Sequence, residues 1–232
     1  MRIKPLIFEQ DLLKLTIFEI RSLIRRSLHL FGFNLAFRKN LPGSIFVFWG
    51  LHVRPEGSSN VLSLGVDEIQ ILEEFARNLP EHVLLVVKEN PIMFGQRKAN
   101  FYRFLRKIPN VYLIDPYYSS IDAILKSNGV AGISGTTLLE GAMLGKPSIC
   151  LGRPEFEKFL SHAGWSDMNS FIEDVCDGIN TDTCGVKQYL GYLIEHSNQN
   201  DIEELGDLDS LNGIQMANRL SKELLSMFQL MD

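Results

Sequence analysis

Apolar residues in the middle of this chain form short continuous runs that are separated by polar loops and by stretches of helical spacing. The runs lie at 44–49, 83–87, 111–114, 130–133 and 148–151. Continuous apolar runs of this length predict strands that are covered on both faces of a sheet. Apolar positions at helical spacing between them predict helices from Asp67 to about Arg77 and at 96–106, 120–126 and 138–144. The βαβαβαβαβ alternation predicts an α/β fold, a Rossmann-like doubly wound parallel sheet with right-handed crossovers.

Two further segments flank this predicted sheet domain of residues 42–197. Residues 8–31 place apolar positions at helical spacing, with Arg21, Arg25 and Arg26 on another face, which predicts an amphipathic helix in an arm of residues 1–41. Helices are also predicted at 169–176, 185–195 and 212–231, and the last follows an acidic loop in the tail segment 198–232.

Charge is divided unevenly along the chain. Residues 1–40 hold eight Lys/Arg and three Asp/Glu, a net of +5, and the rest holds fifteen against twenty-five, a net of −10. The overall acidity argues against nucleic acid as a partner, because nucleic-acid binding needs a basic face. The basic helix 8–31 can make a peripheral contact with an anionic membrane surface or bind an acidic partner; a solvated helix without a partner is the alternative.

Targeting and redox features favour the cytoplasm. No run approaches the ~20 apolar residues of a membrane span, and no signal peptide is visible. The three cysteines are an odd number and have no metal-ligand spacing, which suits a reducing compartment, and no metal site is expected.

The turn between the fourth predicted strand and its helix is the first candidate binding site. Ser134-Gly135-Thr136-Thr137 offers three hydroxyls and backbone N–H groups at a helix amino terminus, which suit a phosphate. Glu140 lies one turn deeper, where its carboxylate can accept hydrogen bonds from ribose hydroxyls. Thr137-Leu-Leu-Glu140 also fits a capping box, in which Glu140 folds back on its own helix end. From these residues alone, both interpretations remain open.

Two other predicted strands end in polar residues. One is followed by Lys88-Glu89-Asn90-Pro91, and another by a loop that contains His52, Arg54 and Glu56. Because the carboxyl ends of parallel strands meet at one edge of a sheet, we expect these groups to face the hydroxyl turn. The plainer alternatives are that His52 bonds the backbone and that Lys88 is a surface lysine. No P-loop, nucleophile elbow or metal-ligand spacing is present.

Six blocks in order carry a resemblance to a known family. They are Leu51-His52-Val53-Arg54-Pro55-Glu56, Val87-Lys88-Glu89-Asn90-Pro91, Phe101-Tyr102, Pro109-Asn110-Val111, the segment from Ser134 to Glu140, and Gly145-Lys146-Pro147. Over roughly residues 42–155 the chain resembles the bacterial capsule polysaccharide biosynthesis family, whose members include Kdo transferases acting on CMP-Kdo. That family consists of GT-B glycosyltransferases with paired Rossmann-like domains, and the matching region is the second, donor-binding domain.

The resemblance implies roles for individual residues and a nucleotide sugar as substrate, with no separate cofactor. Ser134, Gly135, Thr136 and Thr137 would hold the donor phosphate, and Glu140 would meet the sugar of the nucleotide. The Lys88-Glu89-Asn90-Pro91 segment would line the phosphate, with Lys88 in a catalytic role. His52 and Glu56 would approach the donor sugar as the other catalytic residues, and Arg54 is a further cation for the donor.

Two departures from the family pattern bear on catalysis. The family usually shows His-Pro where this chain has Asn90-Pro91, and asparagine offers only a neutral N–H to a leaving phosphate. Charge-assisted hydrogen bonds are roughly twice as strong, so another cation such as Lys88 or Arg54 must compensate. Only about forty residues precede the matching region, which implies a separate amino-terminal acceptor-domain protein or a truncated or divergent copy.

Three functions follow as hypotheses. The leading one is a glycosyltransferase that uses a CMP-, CDP- or UDP-linked sugar and a glycan acceptor in capsule or other surface polysaccharide synthesis. It would work in the cytoplasm, or peripherally at the inner membrane face through 8–31. The second is a nucleotide-binding or partner subunit without full activity. The third is an isomerase of the nucleotide-sugar 2-epimerase type, because such enzymes share the fold and a similar turn.

Overall fold

The computed structural model describes residues 37–53, 68–94, 96, 97 and 99–196, together with six positions of the amino-terminal arm. Those six positions are helical, and they are Ile17, Ile20, Arg21, Leu23, Ile24 and Ser27. The rest of the predicted helix 8–31, the site residues Arg54 and Glu56, and the segment 198–232 lie outside the described residues. No helix in the described part of the chain is long and apolar enough to cross a membrane.

The chain divides into two compact units, Met1–Lys187 and Gln188–Asp232. Every strand that the structure describes belongs to the first unit. The described residues of the second unit, 188–196, are helical.

Strands and helices alternate through the first unit much as the apolar pattern predicts. The strands are β1 (Phe46–Gly50), β2 (Leu84–Lys88), β3 (Val111–Ile114), β4 (Gly129–Gly132), β5 (Ser148–Cys150) and β6 (His162–Ala163). The helices are α1 (Glu68–Asn78), α2 (Ala99–Leu105), α3 (Ser120–Lys126), α4 (Thr137–Met143), α5 (Met168–Asp177) and α6 (Cys184–His196). Short 3₁₀ turns lie at Glu157–Phe159 and Trp165–Asp167.

The strands form one parallel sheet in the order β3-β2-β1-β4-β5-β6. This order confirms the predicted doubly wound α/β fold, and it places the topological switch point between β1 and β4. The sixth strand was not predicted, because two residues, His162 and Ala163, make no apolar run. It ends the sheet on one side, and a bridge from Arg38 to Ile114 continues the other edge.

Helices cover both faces of the sheet. On one face Trp49 packs against Phe75 of α1, and Phe171 of α5 contacts Phe75 in turn. On the other face α4 lies close on β4, because a Cβ at Gly141 would stand only 2.5 Å from Val130 Cγ2. Both faces of the strands are therefore buried, which accounts for their continuous apolar sequences.

Candidate functional site

A cavity of about 380 Å³ opens at the switch point, where β1, β2 and β4 end. This volume lies toward the lower end of the range of small-molecule pockets, roughly 300–1,000 Å³. The residues that line it are Phe48, Gly50, Leu51, His52, Val53, Lys88, Glu89, Asn90, Pro91, Ser120, Ser134, Gly135, Thr136 and Thr137.

The three strand-end segments singled out from the sequence thus meet at one cavity. His52, the segment from Lys88 to Pro91 and the turn from Ser134 to Thr137 all lie on its wall. Glu140 is not among the lining residues, and Arg54 and Glu56 fall outside the described part of the chain. Ser120, at the start of α3, lines the cavity and was missed. It follows the end of β3, so the argument from strand ends would have found it.

Lys88 is the buried cation of the cavity wall. It closes β2 between Gly50 and Ile114 of the neighbouring strands, and only 7% of its surface is exposed. Burial lowers the pKa of the Lys88 ammonium below its usual 10.5, while Glu89, Asp115 and Glu140 act in the opposite direction. A lysine in this position is not a surface lysine. Its ammonium is desolvated and is surrounded by carboxylates that favour its charged form.

Glu140 interacts with Lys88 and does not cap its own helix. The amino-terminal cap of α4 is Thr136, which makes no side-chain cap hydrogen bond, so the capping-box interpretation is wrong for this turn. Burial raises the pKa of the Glu140 carboxyl, and the charge of Lys88 partly offsets that rise. Glu140 is therefore one of the three carboxylates that favour the charged form of Lys88.

The hydroxyl turn is held tightly against the neighbouring loops. A Cβ added at Gly135 would meet His52 Cε1 at 3.3 Å, and one at Gly50 would meet Thr137 Cγ2 at 3.2 Å. Both distances are shorter than ordinary contacts of a Cβ, so a side chain at either glycine would force His52 or Thr137 to move by a few tenths of an ångström. The imidazole of His52, which is 8% exposed, consequently packs beneath the turn.

The carboxylate of Glu89, which lines the cavity, takes part in a buried hydrogen-bond network. Its Oε2 accepts hydrogen bonds from Arg97 Nε and, at 2.7 Å, from the Tyr102 hydroxyl. Burial raises the pKa of the Glu89 carboxyl, and Arg97 lowers it. Neither Arg97 nor Tyr102 was identified from the sequence as a site residue, because their partner lies on another element.

Asn90 shapes the turn that follows β2. Its Oδ1 accepts a hydrogen bond from the Ile92 N–H at 3.0 Å, and its carbonyl accepts bonds from the Met93 and Phe94 N–H groups. The Asn90 N–H donates to Glu89 Oε1 at 2.8 Å. Since the side-chain oxygen is engaged, the amide Nδ2 is the group that Asn90 can offer to an anion in the cavity.

The described residues contain no group of three His, Cys, Asp or Glu side chains that could hold a metal ion. Among the described residues that line the cavity, Lys88 and Glu89 are the basic and acidic side chains, and they lie next to hydroxyl and amide donors.

Comparison with known proteins gives matches only among solved structures. No family model matches the chain, and no curated protein matches it. The chain is similar to KpsC of Thermosulfurimonas dismutans, a β-Kdo 2,4 transferase, at 23% identity and a TM-score of 0.39, over 50% of this chain and 36% of that chain.

Two other similar structures are a nucleotide-sugar epimerase and a polymerase. The UDP-GlcNAc 2-epimerase from Neisseria meningitidis, bound to UDP-GlcNAc, matches at 16% identity and a TM-score of 0.36, over 78% of this chain and 52% of that chain. The wall teichoic acid polymerase TagF matches at 13% identity and a TM-score of 0.36, over 72% and 46%. The chain spans between about a third and about half of the length of these three structures.

Proposed function

We propose that this chain is the nucleotide-sugar-binding domain of a glycosyltransferase that serves the synthesis of a capsule or another surface polysaccharide. The observation that carries the proposal is the position of Lys88. This buried lysine lines a switch-point cavity that is also lined by the hydroxyl turn from Ser134 to Thr137.

Lys88 and the hydroxyl turn suit a phosphate that is attached to a larger group. A buried ammonium attracts an anion more strongly than a solvated one, because little water screens it. The Ser134, Thr136 and Thr137 hydroxyls can donate hydrogen bonds to phosphate oxygens without adding charge. Open α/β sheets bind nucleotides at the switch point, which is where this cavity lies.

In the proposed reaction the bond between the sugar and the donor phosphate breaks, and a bond forms from the sugar to an acceptor hydroxyl oxygen. The phosphate leaves with the electron pair, and the acceptor proton passes to a base. Lys88 would stabilise the negative charge that develops on the leaving phosphate, which is the largest protein contribution in reactions of this kind. His52 and Glu56 are the proposed residues nearest the donor sugar. Arg54 would be a second cation.

The donor would be a CMP-, CDP- or UDP-linked sugar, and the acceptor a glycan hydroxyl. We propose that another polypeptide or another segment supplies the acceptor-binding side. The cytoplasm, where the free cysteines Cys150, Cys176 and Cys184 stay reduced, would be the place of reaction. A peripheral membrane contact through 8–31 would bring the domain to its acceptor.

Calorimetric titration of the full chain with CMP, CDP and UDP tests this function. At least one nucleotide should bind, and Lys88→Met should weaken binding by about tenfold or more, equivalent to losing one charge-assisted hydrogen bond. Lys126→Met is the matched control, because Lys126 is an exposed lysine on α3 outside the cavity lining. No binding of any of the three nucleotides, or equal affinity in both variants, would overturn the proposal.

A second candidate is a nucleotide-binding subunit that does not turn over by itself. It is favoured by Asn90, which lines the cavity, uses its side-chain oxygen for its own turn and brings no positive charge to a leaving group. Incubation with nucleotide sugars, followed by proton and phosphorus NMR, separates the candidates. Release of nucleotide in the presence of a glycan acceptor supports the transferase, and binding without release supports the subunit. An epimerised donor without acceptor would indicate an isomerase.

A further inference from the structure

Three buried charged side chains lie next to the cavity but are not explained by phosphate binding. They are Glu68 at the start of α1, Glu89 after β2, and Arg97 ahead of α2, with side-chain exposures of 4%, 0% and 4%. Glu68 and Arg97 do not line the cavity. Charged groups are rarely buried this deeply unless they are paired, so their arrangement requires an explanation.

Arg97 joins the other two. Its Nε donates to Glu89 Oε2, and its Nη2 contacts Glu89 Oε1 at 3.3 Å and lies 3.8 Å from Glu68 Oε2. The guanidinium also lies over the Phe101 ring at 4.5 Å. One cation thus serves two buried carboxylates.

The same network fixes the loop that carries His52. The His52 N–H donates to Glu68 Oε1 at 2.9 Å, and the His52 carbonyl accepts a hydrogen bond from Arg97 Nη2 at 2.6 Å. Next to it, the Leu51 N–H donates to the Lys88 carbonyl at 2.9 Å. The ends of β1 and β2 are therefore connected to each other through Arg97 and through one backbone bond.

Electrostatics extends the connection from Arg97 to Lys88. Arg97 opposes the burial that raises the pKa of the Glu89 carboxyl, and so favours a charged Glu89. The negative charge of Glu89 in turn opposes the burial that lowers the pKa of the Lys88 ammonium. Asp115 and Glu140 also raise the pKa of Lys88, but Glu89 has the largest effect of the three carboxylates.

We propose that Arg97 is a positioning residue: its contacts with Glu89, Glu68 and the His52 carbonyl hold the His52 loop in place, and through Glu89 it favours the charged form of Lys88 at the cavity wall. Its consequence for nucleotide binding rests on the proposed function, but its effect on Lys88 does not.

Replacement of Arg97 by a neutral residue should change the pKa values of both Glu89 and Lys88. Glu89 would lose the cation that favours its ionised form, so its pKa would rise further and its protonated form would be favoured. Lys88 would then lose its strongest neighbouring negative charge, and its pKa would fall.

The pKa of Lys88 can be measured directly by NMR after ¹³C reductive methylation, with the Lys88 signal assigned by its loss in Lys88→Met. In Arg97→Gln the pKa should fall by about one unit relative to the wild type, the effect of removing one nearby charge. Glu89→Gln should lower it similarly, and the double variant should lower it no further than either single variant. Arg103→Gln, an exposed arginine on α2, should leave it unchanged.

Arg97→Lys separates charge from geometry and also provides a variant if Arg97→Gln fails to fold. Lysine keeps a positive charge for Glu89 but cannot span Glu89 and the His52 carbonyl with one planar fork. The Lys88 pKa should therefore stay near that of the wild type, while nucleotide affinity falls several-fold. A Lys88 pKa that is equal in wild type, Arg97→Gln, Glu89→Gln and Arg103→Gln would overturn the inference.

Nucleotide titration of the same variants distinguishes the two proposals. If the wild type binds no nucleotide but the Lys88 pKa falls in Arg97→Gln, the proposed function fails and the role of Arg97 stands. If the wild type binds and Arg97→Gln binds equally well with an unchanged Lys88 pKa, the proposed function stands and Arg97 only stabilises the fold.

Discussion

Lys88 and Glu89 are consecutive in the chain and both line the cavity, yet their side chains interact with different partners. Lys88 lines the cavity and interacts with Glu140 of α4, whereas the Glu89 carboxylate binds Arg97 and the Tyr102 hydroxyl of α2. Lys88 is the last residue of β2, and Glu89 is the first residue of the loop that follows it. One short segment thus supplies both the cation of the cavity and the anion that supports it.

The position of Lys88 predicts how nucleotide binding depends on pH. Burial lowers its pKa below 10.5, and a bound phosphate would stabilise its charged form. Binding should therefore take up protons, and affinity should fall as the pH rises through the lowered pKa of the free protein. Titrations between pH 7 and pH 10.5, in buffers of different ionisation enthalpy, measure both effects. The alkaline loss should disappear in Lys88→Met; a loss that persists there would assign it to another group.

Substitution of Glu140 tests the rejected capping box. Loss of a true capping interaction would cost about 0.5–2 kcal/mol of stability, but no side-chain cap bond is formed at Thr136. The raised pKa of Glu140 means that its contribution to stability is fully present below the ordinary value of 4.5 and is lost as pH rises through the raised value.

Glu140→Gln should consequently leave the free energy of unfolding unchanged or increase it at pH 7, with the gain shrinking toward pH 4. Urea unfolding at both pH values provides the measurement. Glu173→Gln, an exposed glutamate on α5, is the control. Glutamine can itself form a capping box, so Glu140→Ala tests that interaction. A loss of about 1 kcal/mol or more at pH 7 in Glu140→Ala, but not in Glu140→Gln, would restore the capping interpretation.

Because α4 lies so close to β4, we expect Gly141→Ala to destabilise the protein, although the same change usually stabilises a helix. Alanine in a helix interior normally stabilises relative to glycine by about 0.5–1 kcal/mol. At Gly141 the new Cβ would stand 2.5 Å from Val130 Cγ2, so the overpacked helix should lose about 1–3 kcal/mol. Gly191→Ala in α6 is the matched control, since nothing lies within 4 Å of its Cβ position. Urea midpoints should move in opposite directions for the two variants.

The strands could be predicted from sequence because burial on both faces leaves a continuous apolar run, as at 111–114 and 148–151. The convergence of His52, Lys88 and the hydroxyl turn followed from one rule about the carboxyl ends of parallel strands. β6 escaped prediction because an edge strand of two residues needs no apolar run of its own.

The supporting network could not be predicted in the same way. Arg97 reaches the His52 carbonyl across 45 positions of sequence, and no periodicity indicates such a pair. The partners of Glu89 could not be predicted from the sequence either. Its place beside Lys88 was recognisable, but only the tertiary structure shows that its carboxylate pairs with Arg97 and Tyr102.

Asn90→His tests whether the lack of a positive charge at position 90 limits the affinity of the cavity for a nucleotide. Histidine has an ordinary pKa near 6.5, and a charged imidazolium at the cavity wall would add a charge-assisted hydrogen bond where Asn90 offers a neutral one. A difference of about 1 kcal/mol would raise nucleotide affinity by about fivefold at pH 5.5, with little gain at pH 8.

Asn90→His should also lower the stability of the protein, to an extent that depends on pH. Asn90 Oδ1 accepts the Ile92 N–H, and neutral histidine can accept that bond through Nδ1, whereas the imidazolium cannot. The variant should therefore bind nucleotide more tightly and unfold more easily at pH 5.5 than at pH 8. Calorimetry and urea unfolding of Asn90→His, beside the exposed control Asn180→His, measure the two effects. If affinity at pH 5.5 were equal in the two variants, position 90 would not contact the bound phosphate.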